Sequence, residues 1–246
     1  MLKESMIAGE MDWEYLRKRI TLPPRDIALE VAVMLAKRVP GNVIEFGVYN
    51  GDSTRTLRRA MGGSEKQIFA CDSFAGLTEK YENAEVGTFA CEPPRIRGVQ
   101  IVKGFFEDSL TPELAKRVGR VALASLDADL YSSTLCALNW LTPLLGTGSL
   151  LLFDEFLGEK ESEKRAFEEW SVATGIRTVK VAEFLRDPSG WGNTMDARPL
   201  FQVVSAEILP GSEEPPTPSL RKRLLATPLG RLARTAGNSL RRMGQD

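Results

Sequence analysis

Apolar residues follow two patterns along this chain, short continuous runs and longer stretches at helical spacing. The continuous runs predict five buried strands, at residues 43–46, 67–71, 99–102, 121–126 and 149–153. Helical spacing predicts five helices, at residues 27–39, 53–61, 112–118, 132–145 and 159–174. Strands that are apolar throughout and alternate with helices are typical of a parallel sheet covered on both faces.

Two further apolar segments, residues 176–181 and 200–208, have no helical pattern between them. We expect them to form a terminal hairpin, whose glycine-containing loop 186–193 is free to fold over a site. The predicted fold class is therefore α/β, a Rossmann-like, doubly wound and mostly parallel sheet with a C-terminal strand hairpin. We divide the chain into an N-terminal helical segment, an α/β domain, and a Pro-rich linker with a basic tail, at residues 1–40, 41–209 and 210–246.

Composition narrows the chemistry that this fold can carry. The 246 residues contain no histidine, so a general base has to be Asp, Glu, Lys, Tyr or Cys. The three cysteines, Cys71, Cys91 and Cys136, lack CxxC spacing, which argues against disulfides and structural zinc, and we expect reduced thiols. No apolar run is long enough to span a bilayer, and residues 1–20 lack the apolar stretch of a secretory signal, so we expect a cytoplasmic protein.

The net charge of -1 conceals a basic C-terminal tail. Residues 213–246 carry seven Lys and Arg side chains against three Asp and Glu side chains. A flexible, solvated tail is the first expectation, because a Pro-rich stretch precedes it and Pro228 interrupts its leucine pattern. Packing against a sister subunit in a homo-oligomer and weak attachment to an anionic membrane surface stay open, whereas nucleic acid is not expected as a partner.

A strand that runs into a glycine turn and then a helix is the first candidate ligand site. Gly47 and Gly51 give this turn a backbone that a ligand can approach, and the helix after it offers unpaired N–H groups. The closely spaced glycine pair of a dinucleotide cradle is missing, which argues against a nicotinamide-dependent oxidoreductase. The alternative interpretation is an ordinary strand-to-helix turn.

Acidic side chains follow three of the predicted strands. Asp72 ends the second strand, where a carboxylate can accept hydrogen bonds from a ribose diol; capping of the next segment is its alternative. Asp127 and Asp129 follow the fourth strand, and Asp154 and Glu155 follow the fifth. Because the carboxyl ends of parallel strands meet at one edge, these acids would share a cleft, and oxygen ligands suit Mg²⁺. Helix capping and solvated loop acids are the alternative.

Five motifs in this region carry a family resemblance. They are Glu45-Phe-Gly-Val-x-x-Gly-x-Ser53, Asp72-Ser-Phe-x-Gly-Leu77, Val102-Lys-Gly-Phe-Phe-Glu-Asp-Ser-Leu110, Asp127-Ala-Asp-Leu-Tyr-x-Ser-Thr134 and Phe153-Asp-Glu-Phe156. Together they resemble the macrocin O-methyltransferase family of class I methyltransferases, in the right order between residues 40 and 160. Known members methylate hydroxyls on deoxysugars of macrolide-type natural products with S-adenosylmethionine and Mg²⁺.

The resemblance implies a set of cofactor contacts. It places Glu45 and Gly47 near the methionine end of S-adenosylmethionine and Asp72 at its ribose. The remaining implied cofactor residues are Gly51, Ser53, Ser73, Gly104, Phe105, Phe106 and Asp127. The resemblance places the segment from Gly104 to Glu107 beside the adenine.

The same resemblance implies that Asp127 is the catalytic base and a metal ligand, with Asp154 and Glu155 completing a Mg²⁺ site. Relatives usually have two aspartates at the last two positions, so Glu155 reaches one methylene further than its counterpart. The expected function is a Mg²⁺-assisted O-methyltransferase that acts on a hydroxyl of a sugar or natural-product small molecule. A phenol or catechol O-methyltransferase and a non-catalytic S-adenosylmethionine-binding protein are the alternatives.

Overall fold

The computed structural model describes residues 24–81, 83–156, 162–185 and 197–205. Seven strands form one sheet in the order β3-β2-β1-β4-β5-β7-β6. The strands are β1 (Asn42–Phe46), β2 (Ile68–Asp72), β3 (Val99–Lys103), β4 (Val121–Leu126), β5 (Leu150–Phe153), β6 (Arg177–Leu185) and β7 (Ala197–Ser205). The predicted loop 186–193 and the basic tail lie outside the described residues.

Six α-helices accompany the sheet in the described part of the chain. They are α1 (Pro24–Ala36), α2 (Asp52–Met61), α3 (Phe106–Ser109), α4 (Pro112–Val118), α5 (Tyr131–Leu141) and α6 (Ser162–Thr174). The one-turn helix α3 was not predicted, because four residues are too few to show helical periodicity. Among the described residues, no helix has the length and apolar character that a membrane crossing requires.

Strand pairing confirms the predicted fold class. Strands β1 to β5 pair in parallel with their neighbours. Strand β7 runs antiparallel to both β5 and β6, so the last two strands form the predicted terminal hairpin. Parallel neighbours bring the carboxyl ends of β1, β2, β4 and β5 to the same edge, and ligands of open α/β sheets bind at that edge.

The core lies on both faces of the central strands. Ile44 and Phe46 pack into one cluster with Leu138 of α5 and Trp170 of α6. Val43, which points to the other face, packs into a second cluster together with apolar residues of α1 and α2. Burial on both faces explains why these strands are apolar throughout, and it holds their carboxyl ends in fixed positions.

Candidate active site

A cavity of about 640 Å³ opens at the carboxyl edge of the parallel strands. This volume is typical of a small-molecule site. The sequence-predicted residues that line it are Gly47, Ser53, Asp72, Ser73, Phe105, Phe106, Asp127, Asp154 and Glu155. The structure thus brings together residues that follow five separate strands, β1 to β5. Of the predicted residues, Glu45, Gly51 and Gly104 are outside the described lining of this cavity.

The glycine turn after β1 is shaped by contacts within the protein. Gly47 has a φ of 86°, and a Cβ there would lie 1.7 Å from the carbonyl oxygen of Asp127. Gly51 precedes α2 with a φ of 85°, and a Cβ there would approach Pro94 and Ile96 at 2.9 Å. At both positions a side chain is therefore excluded by protein atoms as well as by the backbone conformation. Gly47 still borders the cavity.

Asp72 ties the glycine turn to the end of β2. Its Oδ2 accepts hydrogen bonds from the backbone N–H groups of Val48 at 2.7 Å and Tyr49 at 2.9 Å. Its Oδ1 accepts from the N–H of Phe74 at 2.7 Å. The carboxylate therefore caps the turn that follows it and also orders the cavity wall. Oδ2 thus accepts two hydrogen bonds, whereas Oδ1 accepts one and has a second lone-pair direction that these bonds leave open to a hydroxyl donor.

Glu45 lies beneath the turn, fully buried in β1. The hydroxyl of Thr54 donates a hydrogen bond to its Oε2, while Oε1 has no hydrogen-bond partner among the described residues. Burial raises the pKa of Glu45 to about 7, while the nearby Thr54 and Ser53 side chains lower it. Glu45 thus supports the floor of the turn from inside the core.

Two arginines hold the acids that follow β4 and β5. Arg25, in the first turn of α1, donates a hydrogen bond from Nη2 to Oδ2 of Asp127. Its Nε lies 3.5 Å from Oδ1 of Asp154. Arg198 of β7 binds Asp154 with two bonds, Nε to Oδ1 at 2.5 Å and Nη2 to Oδ2 at 3.2 Å. Among the described residues, these two guanidinium groups therefore supply positive charge to the two carboxylates.

The surroundings of Asp127 make it a stronger base than an ordinary aspartate. Burial raises its pKa well above the usual value, and the Asp154 carboxylate raises it further, while the Arg25 guanidinium opposes both. A carboxylate with a raised pKa is suited to accept a proton near neutral pH, provided that it is ionised. The hydrogen bond from Arg25 also fixes its direction.

A further acid, Glu163 of α6, belongs to this cluster and was missed by the sequence analysis. It is fully buried, and its Oε2 accepts a hydrogen bond from the backbone N–H of Glu155 at 3.1 Å. Burial raises its pKa well above the usual value, and the Asp127 and Asp154 carboxylates add to the rise. Glu163 could not be identified from the sequence, because an acidic residue in the first turn of a polar helix is usually exposed and nothing in the sequence marks this one as buried.

Part of the chain matches a known protein family. Residues 96–181 match the family model described as Macrocin-O-methyltransferase (TylF). Over these residues, which make up less than half of the chain, the protein is similar to the macrocin O-methyltransferase family. The resemblance found in the sequence motifs is thereby confirmed.

Two curated relatives come from Streptomyces. The 8-demethyl-8-(2,3-dimethoxy-alpha-L-rhamnosyl)-tetracenomycin-C 4'-O-methyltransferase of Streptomyces olivaceus is 30% identical over 151 residues, covering 51% of this chain and 57% of the relative. The demethyldecarbamoylnovobiocin O-methyltransferase of Streptomyces niveus is 24% identical over 149 residues, covering 50% and 56%. The chain thus spans somewhat more than half the length of the curated relatives it matches.

Solved structures share the fold. The O-methyltransferase NovP has a TM-score of 0.55 at 20% identity, over 74% of this chain and 80% of that chain. The calicheamicin methyltransferase CalS11 has a TM-score of 0.55 at 21% identity, over 72% and 77%. At this identity the likeness shows the fold alone, an α/β sheet of the class I methyltransferase type.

The magnesium site implied for the macrocin O-methyltransferase family does not fit the side chains as they are arranged. The Arg25 guanidinium contacts both Asp127 and Asp154, where an ion shared by these carboxylates would lie. Glu155 accepts a hydrogen bond from the Tyr81 hydroxyl at 3.3 Å. Within the described ranges, no three Asp, Glu or Cys side chains are grouped to hold a metal ion. The Mg²⁺ ligand set of Asp127, Asp154 and Glu155 therefore stays a sequence prediction that this geometry does not support.

Aromatic side chains form part of the cavity wall away from the acids. Tyr49 and Phe89 meet edge to face with ring centroids 5.5 Å apart, and each is nearly half exposed. Phe105, predicted beside the adenine, is 42% exposed and lines the same cavity. Exposed rings of this kind offer apolar faces to a bound molecule.

The Arg198–Asp154 pair generates the first testable prediction. Its side chains are only 5% and 15% exposed, so Arg198→Ala leaves a carboxylate in the interior without its two-bonded partner. We expect a loss of about 3–5 kcal/mol in the free energy of unfolding, measured by urea denaturation. Lys180→Ala removes the half-exposed pair with Glu183 and should cost at most about 1 kcal/mol. Equal losses in the two variants would contradict this description of the cluster.

Proposed function

We propose that this chain is an S-adenosylmethionine-dependent O-methyltransferase acting on a hydroxyl of a sugar or another natural-product small molecule. The observation that carries the proposal is a ligand-sized cavity, lined by Asp72 and Asp127, at the carboxyl edge of a class I methyltransferase sheet. The match to the macrocin O-methyltransferase family supports the reaction type. Relatives whose names specify a rhamnosyl tetracenomycin and a novobiocin precursor support the acceptor class.

The cofactor is proposed to lie along the ends of β1, β2 and β3. Asp72 would accept a hydrogen bond from a ribose hydroxyl through the lone-pair direction of Oδ1 that its three backbone bonds leave open. The glycine turn would hold the methionine end, above the buried Glu45, with Ser53 and Ser73 nearby. The segment from Gly104 to Phe106 would flank the adenine, with the exposed ring of Phe105 against its face.

Methyl transfer to oxygen is an in-line displacement, so the protein has to align the acceptor and make its hydroxyl nucleophilic. When bound, S-adenosylmethionine supplies an electrophilic methyl group on a positively charged sulfur. Asp127, directed by Arg25, is proposed to take the proton from the acceptor hydroxyl. The rings of Tyr49 and Phe89 would contact apolar parts of the acceptor. Because the acids do not fit Mg²⁺ as arranged, no step of this proposal passes through a metal ion.

We assign the cofactor site to the α/β domain, residues 41–209, since every implied cofactor residue lies between Glu45 and Asp127. Arg25 of the N-terminal helical segment contributes to the same cavity by directing Asp127. A small-molecule acceptor is part of it. A cytoplasmic location and a homo-oligomeric state stay expectations from the sequence.

Cofactor affinity tests the ribose assignment. We expect the purified chain to bind S-adenosylmethionine, and Asp72→Ala to weaken binding about 10- to 100-fold, as for roughly 1.5–3 kcal/mol of hydrogen bonds to a charged acceptor. Titration calorimetry measures both. Asp108→Ala, an exposed acid on α3 outside the cavity lining, makes the same charge change and should leave the affinity unchanged. A folded Asp72→Ala variant with full affinity would remove Asp72 from the cofactor site.

Transfer of a labelled methyl group tests the base. Using a panel of deoxysugar-bearing and catechol acceptors, we expect Asp127→Asn to lower the rate by about 10²- to 10⁴-fold, the usual contribution of a positioned base. Cofactor affinity should survive, because Asn has nearly the same size and shape as Asp127 and the charge that is removed acts on the acceptor hydroxyl. The panel is run once with Mg²⁺ and once with EDTA.

The outcomes of this assay separate the alternatives. Full turnover by Asp127→Asn would exclude it as the base, and activity only with Mg²⁺ would restore the metal-assisted mechanism. Preference for catechols would change the acceptor class. Cofactor binding without transfer to any acceptor would indicate a non-catalytic S-adenosylmethionine-binding protein.

A further inference from the structure

Two arginines already contact the acid pair at the cavity, Asp127 and Asp154. Among the described residues, Arg25 contacts both carboxylates and Arg198 contacts Asp154. Two guanidinium charges therefore lie beside this pair, in a part of the cavity where the carboxylates are only 17% and 15% exposed. A divalent ion added to this group would face two guanidinium charges at close range, where water screens them weakly.

The two arginines differ in how firmly the fold holds them. Arg198 is 4% exposed, lies in β7 and makes two bonds to Asp154. The Arg25 side chain is 40% exposed and extends from the first turn of α1. It reaches both carboxylates, with Nη2 on Asp127 and Nε 3.5 Å from Asp154. Arg25 is therefore the cation that bridges the pair. Because its side chain is partly exposed, it can turn away from the carboxylates without disturbing buried residues.

We propose that Arg25 is the resident cation of the Asp127–Asp154 pair, and that a divalent ion binds there only by displacing it. In this arrangement Arg25 is a positioning residue, which acts through Asp127 by holding its carboxylate in one direction. The inference goes beyond methyl transfer and relies on the proposed function only for the role of Asp127 as base.

The ligand requirements of a divalent ion support competition rather than joint occupancy. Mg²⁺ requires near-octahedral oxygen ligands at about 2.0–2.1 Å, which demands carboxylate oxygens turned toward the ion. Oδ2 of Asp127 is turned toward Arg25, and both oxygens of Asp154 accept from Arg198. Removing the Arg25 charge would free the bridging position and take away one repulsive charge.

The test measures Mn²⁺ binding to the full chain by electron paramagnetic resonance, in the absence of cofactor and acceptor. We expect Arg25→Ala to bind Mn²⁺ at least about tenfold more tightly than the unaltered chain, because one positive charge has left the pair. Arg25→Lys keeps the charge and should stay close to the unaltered chain. Arg38→Ala removes an exposed arginine just beyond the end of α1 and should change nothing. Asp127→Asn in the Arg25→Ala background should abolish the gain.

Thermal unfolding of each variant is measured alongside. If Arg25→Ala does not fold, Arg25→Gln takes its place, since it removes the charge and keeps a hydrogen-bonding side chain of similar reach. Equal Mn²⁺ affinity in the unaltered chain and in the folded variant without the Arg25 charge would overturn the proposal. Because this experiment measures metal binding alone, its result can be interpreted even if the chain shows no methyl transfer.

Discussion

The contact between the Arg25 and Arg198 guanidinium groups and the Asp127 and Asp154 carboxylates is the interaction on which the rest of the site depends. Carboxylates that are removed from water at a sheet edge are costly unless cations and hydrogen bonds compensate them. Here the compensation comes from α1, at one end of the described chain, and from β7, at the other. The N-terminal helix and the C-terminal hairpin thereby become parts of the cavity, although neither carries a strand-end acid.

A second set of bonds orders the cofactor side of the same cavity. Asp72 accepts from three backbone N–H groups, two of which belong to the glycine turn after β1. Gly47 allows that turn to pass against the carbonyl of Asp127, so the turn and the acid pair share one contact. The two sides of the cavity therefore meet in one backbone contact. This arrangement is consistent with a reaction that needs a methyl donor and an acceptor oxygen in line.

Sequence patterns predict those features that arise from residues close together along the chain. The buried strands have continuous apolar runs, and the predicted bounds of β4, residues 121–126, are the observed ones. Because the strand ends could be predicted, the acids that follow them could also be placed at the edge of the sheet. Arg25 and Arg198 were not predicted, because their partners lie 102 and 44 residues away and a surface-like arginine carries no signal of its contact. Glu163 was missed because burial of its helix turn is a tertiary effect. From the sequence, Gly47 is explained by the approach of a ligand to the backbone. In the structure, the atom nearest to a Cβ placed on Gly47 is the carbonyl oxygen of Asp127.

Hydrogen exchange of backbone amides, measured by mass spectrometry with and without S-adenosylmethionine, tests most directly the claim that the carboxyl edge of the sheet binds the cofactor. If the cofactor binds there, exchange will be slower in the turn after β1, at residues 47–53, and in residues 72–76 and 104–107, which border the cavity. The loops around residues 64–67 and 97–98, which lie before β2 and β3 at the opposite edge, should be unaffected. Protection at that opposite edge, with the carboxyl-edge loops unchanged, would contradict the account.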